Sequence, residues 1–185
     1  MQDRKTQILD AAVSLLASRG YAGLSHRAVD AQADLSPGST TYYFSKKIAL
    51  VEATALHLAE LMEADCAHVK LRFADLVATG QKDEAIEYVT NDIVEFAEKK
   101  REWMLARFEL VLVGARDQEL RPISNRLDQA SKELTAFFVN LVSDGLSDAQ
   151  IETCVSILDA MALMYVTGRG SAPNKDQIKR ILLTA

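Results

Sequence analysis

The chain is poor in the residues that punctuate folds: its 185 positions hold three prolines and eight glycines, and long stretches run without either. That scarcity argues against a turn-rich all-β architecture and for long, uninterrupted helices. Cysteine is equally scarce. Cys66 and Cys154 stand far apart with no CxxC spacing, which excludes a disulfide scaffold and leaves two free thiols in apolar helical settings. The N-terminus lacks a basic-then-apolar signal, and no apolar run approaches the roughly 18 residues of a membrane span. A soluble, cytoplasmic protein with no membrane partner is therefore expected. There is no Gly-rich phosphate loop and no nucleophile with a base at readable spacing, so neither an enzyme nor a cofactor is expected. His57, Glu60, Glu63, Cys66 and His68 follow no common ligand spacing, and acidic helix faces are usually solvated, so no metal is assigned.

A surplus of positive charge is also missing. The net charge of −5 argues against nonspecific coating of nucleic acid. The average conceals an asymmetry, however. Residues 1 to 47 carry Arg4, Lys5, Arg19, Arg27, Lys46 and Lys47 against four aspartates, a net +2 that leaves −7 for the remainder. A basic head on an acidic body fits a local contact with phosphates, which needs cations only at the docking face.

What is present is a sizeable apolar content, 49% of residues, enough to bury a real core. Ile8, Ala12, Leu15 and Leu16 fall on one face of a helix over 4–19, with Gly20 placed to follow its last turn. Ser25 is an N-cap candidate for a short helix to Ala33 whose inward positions are Ala28, Val29 and Ala33. Asp34 then stands where a turn requires a left-handed residue. Ser36-Pro37 reads as an N-cap followed by proline at the first helical position, opening a second helix of about two turns that Phe44 closes onto the core. From Lys46 to about Ala78 neither Gly nor Pro occurs, so one long helix is expected to couple the two regions, with Gly80 ending it. Further helices are expected at about 82–100, 102–115, 118–143, 148–168 and 174–184. Asp117, Ser147 and Asn174 serve as starts; Gly114, Gly145 and Gly168 or Gly170 lie near the stops.

The segment SHRAVDAQADLSPGSTTYYFSKK, Ser25 to Lys47, thus places two short helices around a tight turn. This is the layout of a helix-turn-helix, whose second helix enters the major groove. Gly38, Ser39, Thr41, Tyr42 and Tyr43 form the candidate contact surface, since glycine permits close backbone approach and hydroxyls bond base edges or phosphates. Tyr42 and Tyr43 are adjacent, so at least one must face outward. Arg27, Lys46 and Lys47 sit in first turns of helices, where the local dipole gives a cation nothing, and a phosphate docked outside explains them.

On these residues the chain resembles the TetR family of bacterial one-component regulators. Ala33, Asp34, Ser36, Gly38, Ser39, Thr40, Thr41, Tyr42, Tyr43, Phe44, Lys47 and Leu50 follow the family's signature, and ILDAAVSLLASRGYAGLS before them matches as well. The resemblance covers about residues 4–60; beyond it only length and helical pattern agree. Two positions depart from the signature: the turn glycine is Asp34, and a frequent phosphate-binding tyrosine is Thr41, which shortens the reach. The resemblance implies that Arg27, Gly38, Ser39 and Tyr42 face the groove while Ser25, Tyr43 and Lys47 meet backbone phosphates. It implies an all-α fold: a helix-turn-helix DNA-binding domain over 1–47, then a helical effector-binding and dimerisation domain over 48–185. It further implies a homodimer on a near-palindromic double-stranded operator, released by a small molecule.

In the body, the stretch from Trp103 to Gly114 is apolar apart from Arg107 and Glu109, so these charges need an internal partner or a ligand. Both readings stand. Tyr88, Trp103, Arg107, Phe108, Met161 and Tyr165 are the candidate ligand-contacting residues, together with Phe96 and Met164, although such residues are commonly plain core. The apolar faces of 127–142 and 152–169 suit a four-helix bundle made across a two-fold axis. A DNA-binding dimer without an effector, and a small all-helical enzyme, are the alternatives.

Overall fold

The computed structural model describes residues 3–142 and 146–184, and among these the regular structure is helical throughout, with no strand. The order is α1 (Arg4–Gly23), α2 (His26–Gln32), α3 (Ser39–Tyr43), α4 (Lys47–Ala78), α5 (Lys82–Lys99), α6 (Arg101–Arg116), α7 (Arg121–Val142), α8 (Asp148–Val166) and α9 (Lys175–Thr184). These divide into two compact units. One comprises residues 1–61 with 102–129, the other 62–101 with 130–185.

In the first unit, Ile8, Ala12, Leu15 and Leu16 of α1 are buried as the helical spacing requires, and α1 packs on α2, which packs on α3. Gly20 breaks the helical backbone of α1 at φ 66°, ψ −177°. A Cβ there would sit 2.8 Å from Glu109 Oε1, so both the conformation and the space demand glycine. The next residue is held from two sides. Its amide N–H donates to Glu109 on α6 at 2.7 Å, and its carbonyl accepts from Lys47 Nζ on α4 at 2.9 Å; the residue is Tyr21. His57 on α4 reaches Asp10 on α1 at 2.6 Å.

In the second unit, Phe73, Leu76, Ile86, Val89, Phe138, Val155, Ile178 and Leu182 form a contiguous buried core. Phe73 and Phe138 meet edge to face, 5.1 Å between centroids. The α8 start behaves as read: Ser147 precedes it, and Gln150 Oε1 accepts from the Ser147 amide at 3.0 Å, half of a capping box.

Three expectations need correction. The second short helix opens at Ser39, not Pro37; Pro37–Gly38 form a turn, and Gly38 caps the helix in the left-handed region at φ 92°. Gly114 does lie near the end of α6, two residues before Arg116, and it has a second role: a Cβ there would fall 2.3 Å from Ser124 Cβ, so glycine permits the close approach of α6 and α7. Asp117 organises the turn before α7, accepting from the Glu119 amide at 2.9 Å, and does not start the helix itself, which begins at Arg121. Finally, α8 is long and apolar enough by length and composition to cross a membrane, with mean hydropathy 1.3. Counting consecutive apolar residues missed it because Thr153, Ser156 and Asp159 interrupt the run without lowering the average much. The expected stop at Gly145 lies outside the described residues.

Candidate nucleic-acid interface

Ser25 starts α2 by accepting a hydrogen bond from the Ala28 amide at 3.2 Å, which leaves its hydroxyl proton free to donate outward. Val29 and Ala33 are buried as expected. Between them lies a buried carboxylate: Asp30 is 4% exposed. It accepts from the Gly38 amide at 2.8 Å, from the Thr40 amide at 2.7 Å and from the Thr40 hydroxyl at 2.6 Å. Burial alone would raise its pKa, but the bonds from Thr40 and Gly38, with His26 nearby, hold it below the ordinary aspartate value. At the other end of α3, His26 Nε2 bonds the Phe44 carbonyl oxygen at 2.6 Å.

With its ends so held, α3 turns its middle outward. Thr40 is its one buried residue. Thr41 is exposed, Tyr42 is 85% exposed and Tyr43 41%, and the two rings meet edge to face at 5.2 Å. Both tyrosines therefore face outward. Nothing lies within 4 Å of where a Gly38 Cβ would be. Ser39 is half-buried and donates its hydroxyl to the Ser36 carbonyl at 2.7 Å. Arg27 and Lys46 are exposed. Lys47 is more engaged than its sequence position implied: besides the Tyr21 carbonyl, its ammonium stands 3.8 Å over the Tyr21 ring, and burial lowers its pKa. An ammonium has three N–H donors, so the Tyr21 bond leaves further protons for another acceptor.

Sequence reasoning missed His26, Asp30 and Thr40. One signal was available: Asp30 stands three residues before the inward Ala33, on the buried side of α2, and a carboxylate there needs a partner.

The body candidates fall in different units. Trp103, Arg107 and Phe108 belong to the first, Tyr88, Met161 and Tyr165 to the second. Arg107, 2% exposed, bonds Asp128 at 3.1 Å and stacks on the Phe108 ring at 4.2 Å. Of the two readings of its charge, the internal partner is present. Glu109 likewise serves the Tyr21 amide. In the second unit, burial, reinforced by Asp65, raises the Asp92 carboxyl to about 6. Asp92 lies one turn from both Tyr88 and Phe96, on one stripe of α5.

Two family models match the chain: bacterial regulatory proteins of the tetR family over residues 8–54, and the tetracyclin repressor-like C-terminal domain over residues 80–185. A comparison with curated proteins finds no match. Among solved structures, a TetR-family member from Streptomyces coelicolor A3 is 24% identical, with a TM-score of 0.74 over 99% of this chain and 98% of that one. The multidrug binding protein EbrR complexed with malachite green is also 24% identical, with a TM-score of 0.68 over 99% and 98% of the chains. A transcriptional regulator from Rhodococcus sp. Rha1 is 14% identical, with a TM-score of 0.70 over 97% and 92%. At these identities the structural likenesses carry the fold.

Proposed function

This chain belongs to the TetR family of bacterial regulatory proteins, and we propose that it is a ligand-responsive repressor that binds a near-palindromic operator as a homodimer. One observation carries the DNA reading: a five-residue helix anchored at both ends presents Thr41, Tyr42 and Tyr43 to the outside, with Arg27 and Lys46 exposed beside it in sequence. Ser39 and Tyr42 reach base edges across the open side of Gly38, Arg27 reads a base, and Ser25, Thr41, Tyr43 and Lys47 serve phosphates and the groove rim. The reading domain is assigned to residues 1–47 and effector binding and dimerisation to 48–185; a DNA-bound regulator acts in the bacterial cytoplasm.

The dimer reading is supported by α8, where Ile157, Leu163 and Met164 remain exposed on a helix of high mean hydropathy. A second copy of the same helix covers such a face by two-fold symmetry. Two copies of α3 then meet successive major grooves, one helical turn or a multiple apart.

The effector reading is supported by the likeness to EbrR, a multidrug binding protein whose structure is complexed with malachite green. In this chain a half-buried Asp92 lies one helical turn from Tyr88 and from Phe96, so α5 carries an acid and two aromatic residues on one stripe where an effector could be met. The effector must bind the DNA-competent and DNA-incompetent states unequally to shift their populations. Within the first unit, Tyr21 ties the head to two longer helices: its amide is gripped by α6 and its carbonyl by α4.

Selection of duplexes from a randomised library by the full-length protein, followed by salt-titrated binding, tests this reading. Enrichment of a two-fold-symmetric site bound by two protomers is expected; no enriched sequence even at low salt overturns it.

A further inference from the structure

A five-residue helix cannot hold its own shape, since isolated helices below about 12–15 residues are marginal in water. Apolar packing holds α3 at one point only: Phe44, just past its last residue, is buried, while the one buried side chain within the helix is Thr40. The directional hold on both ends comes from α2. Asp30 takes the amides of Gly38 and Thr40 and the Thr40 hydroxyl, within 2.6–2.8 Å, at the opening of α3. One turn earlier on α2, His26 takes the Phe44 carbonyl at its close, 2.6 Å away. Spaced i, i+4, the two side chains leave the same face of α2 and seize opposite ends of the neighbouring helix.

We propose that His26 and Asp30 are positioning residues that set the rotation and pitch of α3 in the groove, and through them the choice of base sequence, an inference that rests on the DNA reading above. Asp30 is too buried to touch a duplex. Its carboxylate also consumes two amides at the start of α3, so anchoring to phosphate falls to side chains. Those cations, Arg27, Lys46 and Lys47, lie outside α3. Loosening α3 therefore damages base reading while leaving sequence-independent attraction to phosphate largely in place. A role confined to folding has no such asymmetry.

The test compares the duplex selected by the wild-type protein with a scrambled duplex of equal length, using full-length variants. Asp30→Ala removes both acceptor oxygens and with them all three hydrogen bonds, Thr40→Val removes the hydroxyl alone, Thr40→Ser restores it, and His26→Gln keeps a donor near the Phe44 carbonyl. The ratio of specific to scrambled affinity is expected to fall about tenfold to a hundredfold in Asp30→Ala and about fivefold in Thr40→Val. Thr40→Ser and His26→Gln are expected to stay within about threefold of wild type, and affinity for the scrambled duplex within about threefold throughout. Amide exchange at Gly38 and Thr40 is expected to accelerate in Asp30→Ala. Thr40→Val and Thr40→Ser carry the test if Asp30→Ala does not fold. Equal losses on both duplexes, or an unchanged ratio in folded Thr40→Val, overturn the proposal. Failure of the wild-type protein to enrich any duplex instead overturns the DNA reading on which it stands.

Discussion

In residues 62–101 with 130–185, helices of ten residues or more interlock through Phe73, Leu76, Ile86, Val89, Phe138, Ile178 and Leu182, all nearly wholly buried. In the head, α3 has five residues and buries only a threonine. The first arrangement draws its stability from apolar area removed from water, which is strong but indifferent to small rotations. The second relies on a few short hydrogen bonds from Asp30 and His26, which are weaker in total but directional. A body can be held by area. A reading helix has to be held at an angle, because its side chains must meet base edges in register.

That contrast can be broken most forcefully from the body side. Phe73→Ala should cost about 3–5 kcal/mol of stability, read as a lower urea midpoint, because it empties the centre of the second core. The molecules that remain folded should discriminate the selected duplex as wild type does. Loss of discrimination at full folding would mean that the body core and the reading angle are not separate.

On the head side, Arg27→Ala should weaken binding to the selected duplex by about 1–3 kcal/mol and relax its sequence preference, if the guanidinium reads a base. Equal weakening on selected and scrambled DNA would reassign it to phosphate.

The clamp also leaves a mark in acid. The pKa of Asp30 is lowered in the folded state, so its contribution is fully present above the unfolded aspartate value of about 3.9 and is lost as pH falls through the lower folded value. Wild type should therefore lose more stability than Asp30→Asn between about pH 5 and the acid limit, as followed by thermal melting. Parallel curves for the two proteins would contradict the hydrogen-bonded carboxylate.

The smallest effect is expected at Lys46. Lys46→Ala should lower affinity nearly equally for all duplexes and reduce the salt slope by about one. A sequence-dependent loss there would extend base reading beyond α3.

Much of this was legible beforehand for physical reasons. Long runs without Gly or Pro located α4 and α5, and the spacing of Ile8, Ala12, Leu15 and Leu16 located the buried face of α1. Asp34 at φ 52° and Gly20 at φ 66° are the backbone exceptions that the turn positions required. Partnerships distant in sequence were not legible. Nothing local links Tyr21 to Glu109, or Arg107 to Asp128, because each bond joins helices whose pairing is set only once the chain is packed. The tight packing of Gly114 on Ser124 was hidden for the same reason, although its place near the end of α6 was legible. The opening of α3 was misplaced because Pro37 is an equally good turn residue, and the capping comes from Asp30, outside the local segment.

The most direct measurement is site-specific photo-crosslinking to the selected duplex, with the crosslinker placed at Tyr42 on α3 or, as a control, at Leu71 on α4, which is 76% exposed. Adducts to bases from position 42, absent from position 71 and lost on scrambling the duplex, are the result this account predicts. No adduct from position 42, or equal adducts from both positions, would contradict it.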